Sequence, residues 1–180
     1  MEKEEYAIIL EYLPNGYPLE GKMMPIAQAI GEETLILLEL VSRKGTDFET
    51  GEKVYIGQGK RDKVYYILGR LEKEKLTETA KNQIQEIIEK KVAANEPDYI
   101  QFFNKSEAIN KKIHQIELLP GFGRRHMQDL LKEREVSPFL SFEDMKKRIP
   151  NLPDPKKAIE RRIFKELTSE ERYNLFIKQN

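Results

Sequence analysis

A short glycine-containing segment followed by two arginines is the part of this sequence whose residue types could do the most specific chemistry. Leu118–Gly123 reads Leu-Leu-Pro-Gly-Phe-Gly, and Arg124 and Arg125 follow at once. Two glycines separated by one residue allow a sharp backbone turn, with positive φ where the turn needs it. If a helix begins directly after them, its first amides point outward and attract an anion such as a phosphate. Arginines in a first helical turn oppose the macrodipole, so their presence indicates that an external anion binds there.

The sequence on both sides of this segment predicts helices. Upstream, apolar residues recur at steps of three and four, which predicts a helix that leads into the turn. The residues in that pattern are Ile109, Ile113, Ile116 and Leu119. Downstream, a second helix would bury Met127, Leu130 and Leu131. Its polar positions would be Arg124, Arg125, Lys132 and Arg134.

Helix, Pro-Gly-x-Gly turn and basic helix together resemble the helix-hairpin-helix family of nucleic-acid-binding modules. The resemblance implies that the amides of Gly121, Phe122 and Gly123 grip the sugar-phosphate backbone without reading its sequence. It also implies phosphate contacts from Arg124 and Arg125, and a monovalent cation on the turn carbonyls as the only cofactor. An ordinary turn between two packed helices, or a turn that docks a protein, is the alternative interpretation of the same residues.

Composition limits the class of protein. At 180 residues, with 39% hydrophobic and 34% charged residues, the chain suits one large or two small domains. It contains no apolar run of 18 residues, and its acidic start lacks an apolar signal segment, so we expect a cytoplasmic protein without a membrane partner. The absence of cysteine excludes disulfides, cysteine-zinc sites and thiol catalysis.

Charge is unevenly distributed although its sum is zero. Residues 1–100 hold 14 Lys and Arg against 19 Asp and Glu, whereas residues 101–180 hold 17 against 12. The positive half is also the half that carries the glycine segment, which favours a polyanionic ligand there.

The amino-terminal part of the chain predicts a small β-barrel. Strands are expected at residues 6–13, 53–57 and 63–70, and residues 26–30 and 34–41 are less decided between strand and another structure. An amphipathic helix then presents Leu76, Ala80, Ile84, Ile87, Ile88 and Val92 on one face. Residues 98–103 alternate like a closing strand. We therefore expect an OB- or S1-like barrel over residues 1–96, which the strand at 98–103 would complete.

The remaining residues, 97–180, predict an all-α domain with two hairpins in tandem, so the expected fold class is α+β. Ser141 and Asp144 resemble a capping box that begins a short helix. Pro153–Pro155 takes the place of the glycines in a second hairpin. Because proline removes amide donors and Asp154 repels phosphate, this hairpin should pack against the first one and not bind nucleic acid. A last helix is expected after Thr168.

Three stretches extend the resemblance to nearly the whole chain. They are Phe102–Lys105, His114–Gly123 and Pro138–Asp144, downstream of the β-rich half. The chain resembles an uncharacterised archaeal family thought to bind RNA or nucleotides, whose members join an OB/S1-like domain to tandem helix-hairpin-helix motifs. The resemblance implies RNA in preference to DNA and supplies no reaction.

A barrel of this kind would bind single strands by stacking bases on exposed aromatic rings beside cations. The candidate rings are Tyr55, Tyr65 and Tyr66, and the nearby cations are Lys60, Arg61 and Lys63. Tyr65 and Tyr66 are adjacent and should point to opposite faces of the sheet, so at least one should leave the core. Completion of the core or its rim is an equally good interpretation for each tyrosine.

No residues stand out as catalytic or metal-binding. His114 and His126 are the only histidines and do not form a zinc pattern, and the phosphate-binding loop of nucleotide hydrolases is absent. We therefore expect a non-enzymatic nucleic-acid-binding protein. The alternative is a protein–protein adaptor in which the turn is a structural joint. In that case the acidic barrel half and the apolar tail at Tyr173, Leu175 and Phe176 would bind a partner.

Overall fold

The structure, a computed structural model, describes residues 4–21 and 23–178. Within these residues the chain forms five β-strands and then five α-helices. The strands are β1 (Tyr6–Leu13), β2 (Ile26–Gly31), β3 (Leu37–Ser42), β4 (Lys53–Tyr55) and β5 (Val64–Arg70). The helices are α1 (Glu78–Ala94), α2 (Glu96–Lys105), α3 (Arg124–Val136), α4 (Phe142–Arg148) and α5 (Pro155–Thr168). Short 3-10 helices at Lys73–Lys75 and Gln115–Leu118 precede α1 and α3.

The five strands form one antiparallel sheet in the order β4-β1-β2-β3-β5. Register shifts interrupt the pairing of β1 with β2 once and the pairing of β3 with β5 twice. Such bulges bend a strand and increase its twist. The sheet accordingly curls into a half-barrel, with β4 and β5 as its two edges.

One face of the sheet carries an apolar core in which buried residues recur with the period of two that strands require. The buried residues are Ala7, Ile9, Ala27, Ala29, Leu38, Leu40, Phe48, Val54, Ile56 and Val64. The predicted strands near residues 6–13, 53–57 and 63–70 are confirmed, and the two undecided segments form β2 and β3. The predicted amphipathic helix is confirmed as α1, with Ala80, Ile84, Ile88 and Val92 buried.

The α+β class is correct, but the expected architecture, a closed OB/S1-like barrel followed by an all-α tandem helix-hairpin-helix domain, is wrong. The sheet stays open, and the helices that follow it do not form a tandem pair of hairpins. In place of the helix expected before the glycine segment, Ala108 and His114 form an isolated antiparallel bridge and a single 3-10 helix follows. The segment is therefore a turn between a 3-10 helix and α3.

Two other expectations about local structure are also wrong. Residues 98–103 belong to α2, in which the buried Ile100 and Phe103 are three residues apart, a spacing that places both on one helical face and would place them on opposite faces of a strand. Pro97 lies in the first turn of α2, where its missing amide costs no intrahelical bond. The helix expected after Thr168 does not form, since α5 ends at that residue and residues 169–178 are irregular.

The chain divides into two compact units. The first unit comprises Met1–Glu86 with Leu167–Asn180, and the second comprises Ile87–Glu166. The sheet and its core belong to the first unit, and the glycine segment with α3 belongs to the second.

Two buried or half-buried arginines fix the position of α3 within the second unit. Arg134 donates to the carbonyls of Phe103 and Ser106 at 3.0 and 2.8 Å, so the end of α2 is tied to α3. Arg148 of α4 donates to the Ser137 carbonyl at 2.8 Å, directly after the last residue of α3. These contacts hold the carboxyl end of α3 and leave its amino end to the glycine segment.

Candidate functional site

The segment Leu119–Gly123, called the glycine turn below, has the pattern of a type II β-turn. The Phe122 amide donates to the Leu119 carbonyl at 3.0 Å across Pro120 and Gly121. Gly121 has a φ of +85°, the left-handed conformation that a type II turn requires at its third position. Glycine adopts that conformation without steric strain, and Pro120 supplies the fixed φ of the position before it.

The amides left for a ligand differ from the set that the sequence suggested. The Phe122 amide is used inside the turn, and the Gly123 amide donates to Nδ1 of His126 at 3.0 Å. The first intrahelical hydrogen bond of α3 runs from the Met127 amide to the Gly123 carbonyl at 3.1 Å. The amides of Arg124, Arg125 and His126 precede this bond and have no intrahelical acceptor. Within the described part of the chain these three amides have no acceptor.

Packing holds the glycine turn in place. The Phe122 ring is only 5% exposed and lies against the rings of Phe103 and His126, with centroids 6.2 and 5.8 Å away. A Cβ added at Gly121 would lie 3.7 Å from the Pro153 Cβ. The turn thus packs on Pro153, as expected from the sequence, although the two segments are not the tandem hairpins that were expected. The geometry of the turn is set before any ligand arrives.

Electrostatics distinguish the start of α3 from the other helix starts. Its first turn contains Arg124 and Arg125, both exposed, and no acidic residue. In the described residues neither arginine forms an ion pair or a side-chain hydrogen bond. Three of the other four described helices have an acid in the first turn. The fourth, α5, has Lys156 and Lys157 there, but the Asp154 carboxylate caps it and accepts from both lysine amides, whereas α3 has no such carboxylate.

Lys132 extends the basic surface of α3. It lies seven residues after Arg125, which places both on one face of the helix about 10 Å apart along its axis. Lys132 is exposed, and the half-buried Asp129 lies between the two on the same face. Arg134, the other basic residue of α3, instead binds the end of α2.

The expected monovalent cation would bind carbonyl oxygens of the glycine turn that no protein donor already uses. The Leu118 carbonyl accepts from Nη1 of Arg162 at 3.4 Å, and the Leu119 carbonyl accepts from Phe122. Among the described residues, no donor reaches the carbonyls of Pro120, Gly121 or Phe122. The cation stays a prediction, restricted to those three oxygens.

His114 supports the approach to the turn as the N-cap of the Gln115–Leu118 helix. Its Nδ1 accepts from the Ile116 amide at 3.1 Å, and its own amide donates to Oε1 of Glu117 at 3.1 Å. Burial lowers the pKa of His114, the charge of Arg134 lowers it further, and Glu117 opposes the change. The ring is therefore held in its neutral, hydrogen-bond-accepting form.

The sheet-side candidates do not all remain available. Arg61 is half-buried and its Nε donates to the Gly57 carbonyl at 2.8 Å, while Lys63 pairs with Glu52. Lys60, at the tip of the loop between β4 and β5, is exposed and has no side-chain partner among the described residues. Tyr55, the third candidate ring, accepts a hydrogen bond from the Gly59 amide at 2.9 Å and is half-buried. Lys60 is thus the cation of this loop that has no side-chain partner within the described residues.

Tyr65 and Tyr66 are both exposed, by 64% and 37%. Their ring centroids lie 5.3 Å apart with an interplanar angle of 70°, so the rings meet edge to face. The expectation that they point to opposite faces is wrong because the pairing of β5 with β3 shifts between Val41 and Ser42, which leaves Tyr65 as an extra, bulged residue. Sequence periodicity carries no signal for this bulge, so the close approach of the two rings was not predicted.

Comparison with known proteins places the chain in a family. The model of a protein family of unknown function, DUF655, matches residues 3–178. The chain belongs to this family. Uncharacterized protein MJ0038 of Methanocaldococcus jannaschii is 38% identical over 177 residues, which cover 97% of this chain and 80% of that protein.

A solved member of the same family supports the fold. The crystal structure of Af1531 from Archaeoglobus fulgidus has a TM-score of 0.80 to this chain at 39% identity, and the match covers 97% of this chain and all of that one. The resemblance to an uncharacterised family is confirmed. Neither the family description nor these relatives' names give OB, S1 or helix-hairpin-helix motifs.

Two further properties concern the described residues as a set. Within residues 4–21 and 23–178 no three His, Asp or Glu side chains are grouped so that they could hold a metal ion. No described helix combines the length and the apolar character that crossing a membrane would require.

Proposed function

We propose that this protein is a non-enzymatic nucleic-acid-binding protein that holds a phosphate backbone at the start of α3. The proposal rests on one observation: the first turn of α3 contains both two arginines without a side-chain partner among the described residues, Arg124 and Arg125, and backbone amides without an acceptor there. Both kinds of donor favour an anion, and both lie on a turn that packing has already fixed.

The cost of this arrangement to folding supports a ligand-binding role. An arginine in a first helical turn is unfavourable by about 0.3–1 kcal/mol, because it faces the positive end of the macrodipole. Helices α1, α2 and α4 have acids in the first turn, and in α5 the Asp154 carboxylate offsets the lysines of the first turn. A bound phosphate would turn the same two charges into a stabilising contact.

Steric access is open at Gly123. Its φ of −101° and ψ of −173° are extended, and a Cβ there would touch only Nδ1 of His126, at 4.0 Å. The missing side chain therefore leaves room for a phosphate beside the first amides of α3. Contacts of this kind position a backbone and do not read bases, so we expect little sequence preference.

RNA is the ligand that we expect first, by extension of the resemblance to RNA- or nucleotide-binding proteins. The excess of basic residues in residues 101–180, 17 Lys and Arg against 12 Asp and Glu, favours either polyanion. Parallel measurements on RNA and DNA strands of one sequence decide between them.

The test is a pair of matched charge variants measured against a short RNA. Arg124→Gln with Arg125→Gln removes two charges from the start of α3 and should weaken binding at least about tenfold, a change of ~1.4 kcal/mol. Lys111→Gln with Lys112→Gln removes the same net charge from an exposed loop and should leave the affinity close to that of the parent. Equal losses in the two variants would show that only net charge matters.

A protein–protein adaptor is the second candidate, and one observation favours it. Val136 and Leu140, on either side of the break between α3 and α4, are 80% and 82% exposed. The predicted tail at Tyr173, Leu175 and Phe176 is half-buried and thus less suited to a partner. Partner binding through Val136 and Leu140 would be nearly indifferent to salt, unlike phosphate binding.

A further inference from the structure

The first unit carries an exposed aromatic surface that the phosphate contacts at α3 do not use. It is defined here as the tyrosine pair, Tyr65 and Tyr66 of β5. Adjacent residues of a regular strand point to opposite faces, but the bulge at Tyr65 brings the two rings together at 5.3 Å. The Tyr66 hydroxyl also donates to Sδ of Met24 at 3.8 Å, which restrains the pair.

We propose that the tyrosine pair binds unpaired bases of a nucleic acid by stacking. This proposal rests on the proposed function and adds the substrate class, a strand with accessible bases. An aromatic ring that is exposed and held by a neighbouring ring offers a base a flat surface with little loss of side-chain freedom. Every base has a π-face, so the contact tolerates any sequence.

Charge at both ends of β5 complements a nucleic-acid strand. Lys60 lies on the loop that enters β5, and Arg70 is the last residue of the strand. Both are exposed and have no side-chain partner in the part of the chain that the structure describes. Each of them lies five positions from Tyr65 in the sequence, so cations lie before and after the rings along the chain.

The loop that carries Lys60 is braced. Nε of Arg43 donates to the Arg61 carbonyl at 2.8 Å, and Nε of Arg61 donates to the Gly57 carbonyl at 2.8 Å. The Gly59 amide is fixed by the Tyr55 hydroxyl at 2.9 Å. The neighbouring cations thus support the loop, and Lys60 is presented at its tip.

The bulges argue against an extended peptide as the occupant of this edge. β5 is an edge strand, and an added strand would need a continuous row of backbone groups. Register shifts leave Tyr65 and Leu68 as extra residues, so regular pairing is interrupted twice within seven residues. Bulges of this kind protect edges from further strands, while they leave the rings exposed.

The experiment uses a fluorophore placed in the pair. The sequence contains no tryptophan, so Tyr65→Trp gives the full-length protein a single indole. We expect its emission to be quenched by a single-stranded RNA and not by an otherwise identical strand whose nucleotides are abasic. Equal quenching by both strands, or quenching by neither, would overturn the proposal.

A second pair of variants separates this proposal from phosphate binding at α3. The parent should bind the base-bearing strand at least about fivefold more tightly than the abasic strand, the smallest effect expected of one stacked base. Tyr65→Ser with Tyr66→Ser should bring this ratio close to one, whereas Arg124→Gln with Arg125→Gln should weaken both strands and keep the ratio. A ratio unchanged by the tyrosine substitutions would refute stacking and leave phosphate binding intact.

Tyr65→Ser with Tyr66→Ser should keep the molecular mass of the parent on size-exclusion chromatography. If this variant loses both the preference for the base-bearing strand and the parent's molecular mass, the tyrosine pair is a contact between copies of the chain, and stacking is also refuted. If the arginine variant binds both strands like the parent, phosphate binding at α3 is refuted. The ratio still judges the tyrosine pair in that case.

Discussion

Gly123 is the residue at which folding stability and ligand binding are expected to respond in opposite directions. It is the N-cap of α3, and its extended φ and ψ, −101° and −173°, are accessible to any residue. A Cβ there would lie 4.0 Å from Nδ1 of His126, an ordinary contact distance. Gly123→Asp should therefore fit without strain and place a carboxylate at the start of the helix.

The effect on stability follows from three small contributions. Aspartate is a better N-cap than glycine by a few tenths of a kcal/mol, and its charge gains about 0.3–1 kcal/mol from the macrodipole. Removal of a glycine reduces the freedom of the unfolded chain, which contributes about 0.4–1 kcal/mol. We expect a gain of about 1–2 kcal/mol in the free energy of unfolding, which raises the melting temperature by about 2–4 °C for each kcal/mol in a chain of this size.

The same carboxylate would occupy the space proposed for a phosphate. Affinity for RNA should fall at least about tenfold. The slope of log Kd against log salt should decrease by the amount expected for about one phosphate contact. Gly123→Ser is the control, because it adds the same Cβ and a capping oxygen without charge. Fluorescence anisotropy with labelled RNA gives both quantities. If Gly123→Asp binds RNA as tightly as Gly123→Ser, the placement of the phosphate is wrong.

Three further predictions concern the support of the site. Burial lowers the pKa of His114, so the unfolded chain binds the proton more readily and the melting temperature should fall as pH drops below about 6.5; His114→Asn, whose side-chain oxygen can accept from the same amide, should flatten that dependence. Gly121→Ala forces an alanine to a φ of +85° and should cost about 1–2 kcal/mol, so an unchanged melting temperature would contradict the turn geometry. Arg162→Met removes the guanidinium 2.8 Å from Glu166, both side chains being buried, and should cost about 3–5 kcal/mol in thermal unfolding; adding Glu166→Leu should recover most of that loss.

Residue type and periodicity predicted the longer elements. Residues 6–13 were predicted as a strand from their β-branched and aromatic residues, and the helical spacing of Ala80, Ile84, Ile88 and Val92 predicted α1. Both elements appear in the structure. Ser141 was predicted to cap a helix from its own side chain, and its Oγ accepts from the Asp144 amide at 3.0 Å. Local chemistry of that kind is visible in a sequence.

Short apolar patterns misled where hydrogen bonds decided the structure. The spacing of Ile109, Ile113 and Ile116 fits a helix, but the chain turns at Asn110, whose Oδ1 accepts from the Lys112 and Ile113 amides at 2.8 and 3.0 Å. Six residues from 98 to 103 are too few to separate a strand from a helix. The helix-hairpin-helix assignment failed because it required a helix at Ile109, Ile113 and Ile116, directly before the glycine turn, and that helix does not form.

The candidate site was predictable in part. The glycine turn and the arginine pair were identified from residue types and spacing, and the structure brings them together at the start of α3. The donors themselves were not predictable, because the engagement of the Gly123 amide by His126 depends on a side-chain rotamer. The exposure of Tyr66 depends on a bulge set by pairing with β3, a contact between residues distant in sequence.

The salt dependence of RNA binding tests the central claim most directly. Kd should be measured for the parent, for Arg124→Gln with Arg125→Gln, and for Lys111→Gln with Lys112→Gln across a range of ionic strength. Each phosphate contact on a single strand contributes about 0.7 to the slope of log affinity against log salt. We predict a steep slope for the parent, a slope lower by about 1.4 for the arginine variant, and an unchanged slope for the lysine variant. A parent affinity that does not change with salt, or equal slopes in the parent and the arginine variant, would contradict phosphate binding at α3.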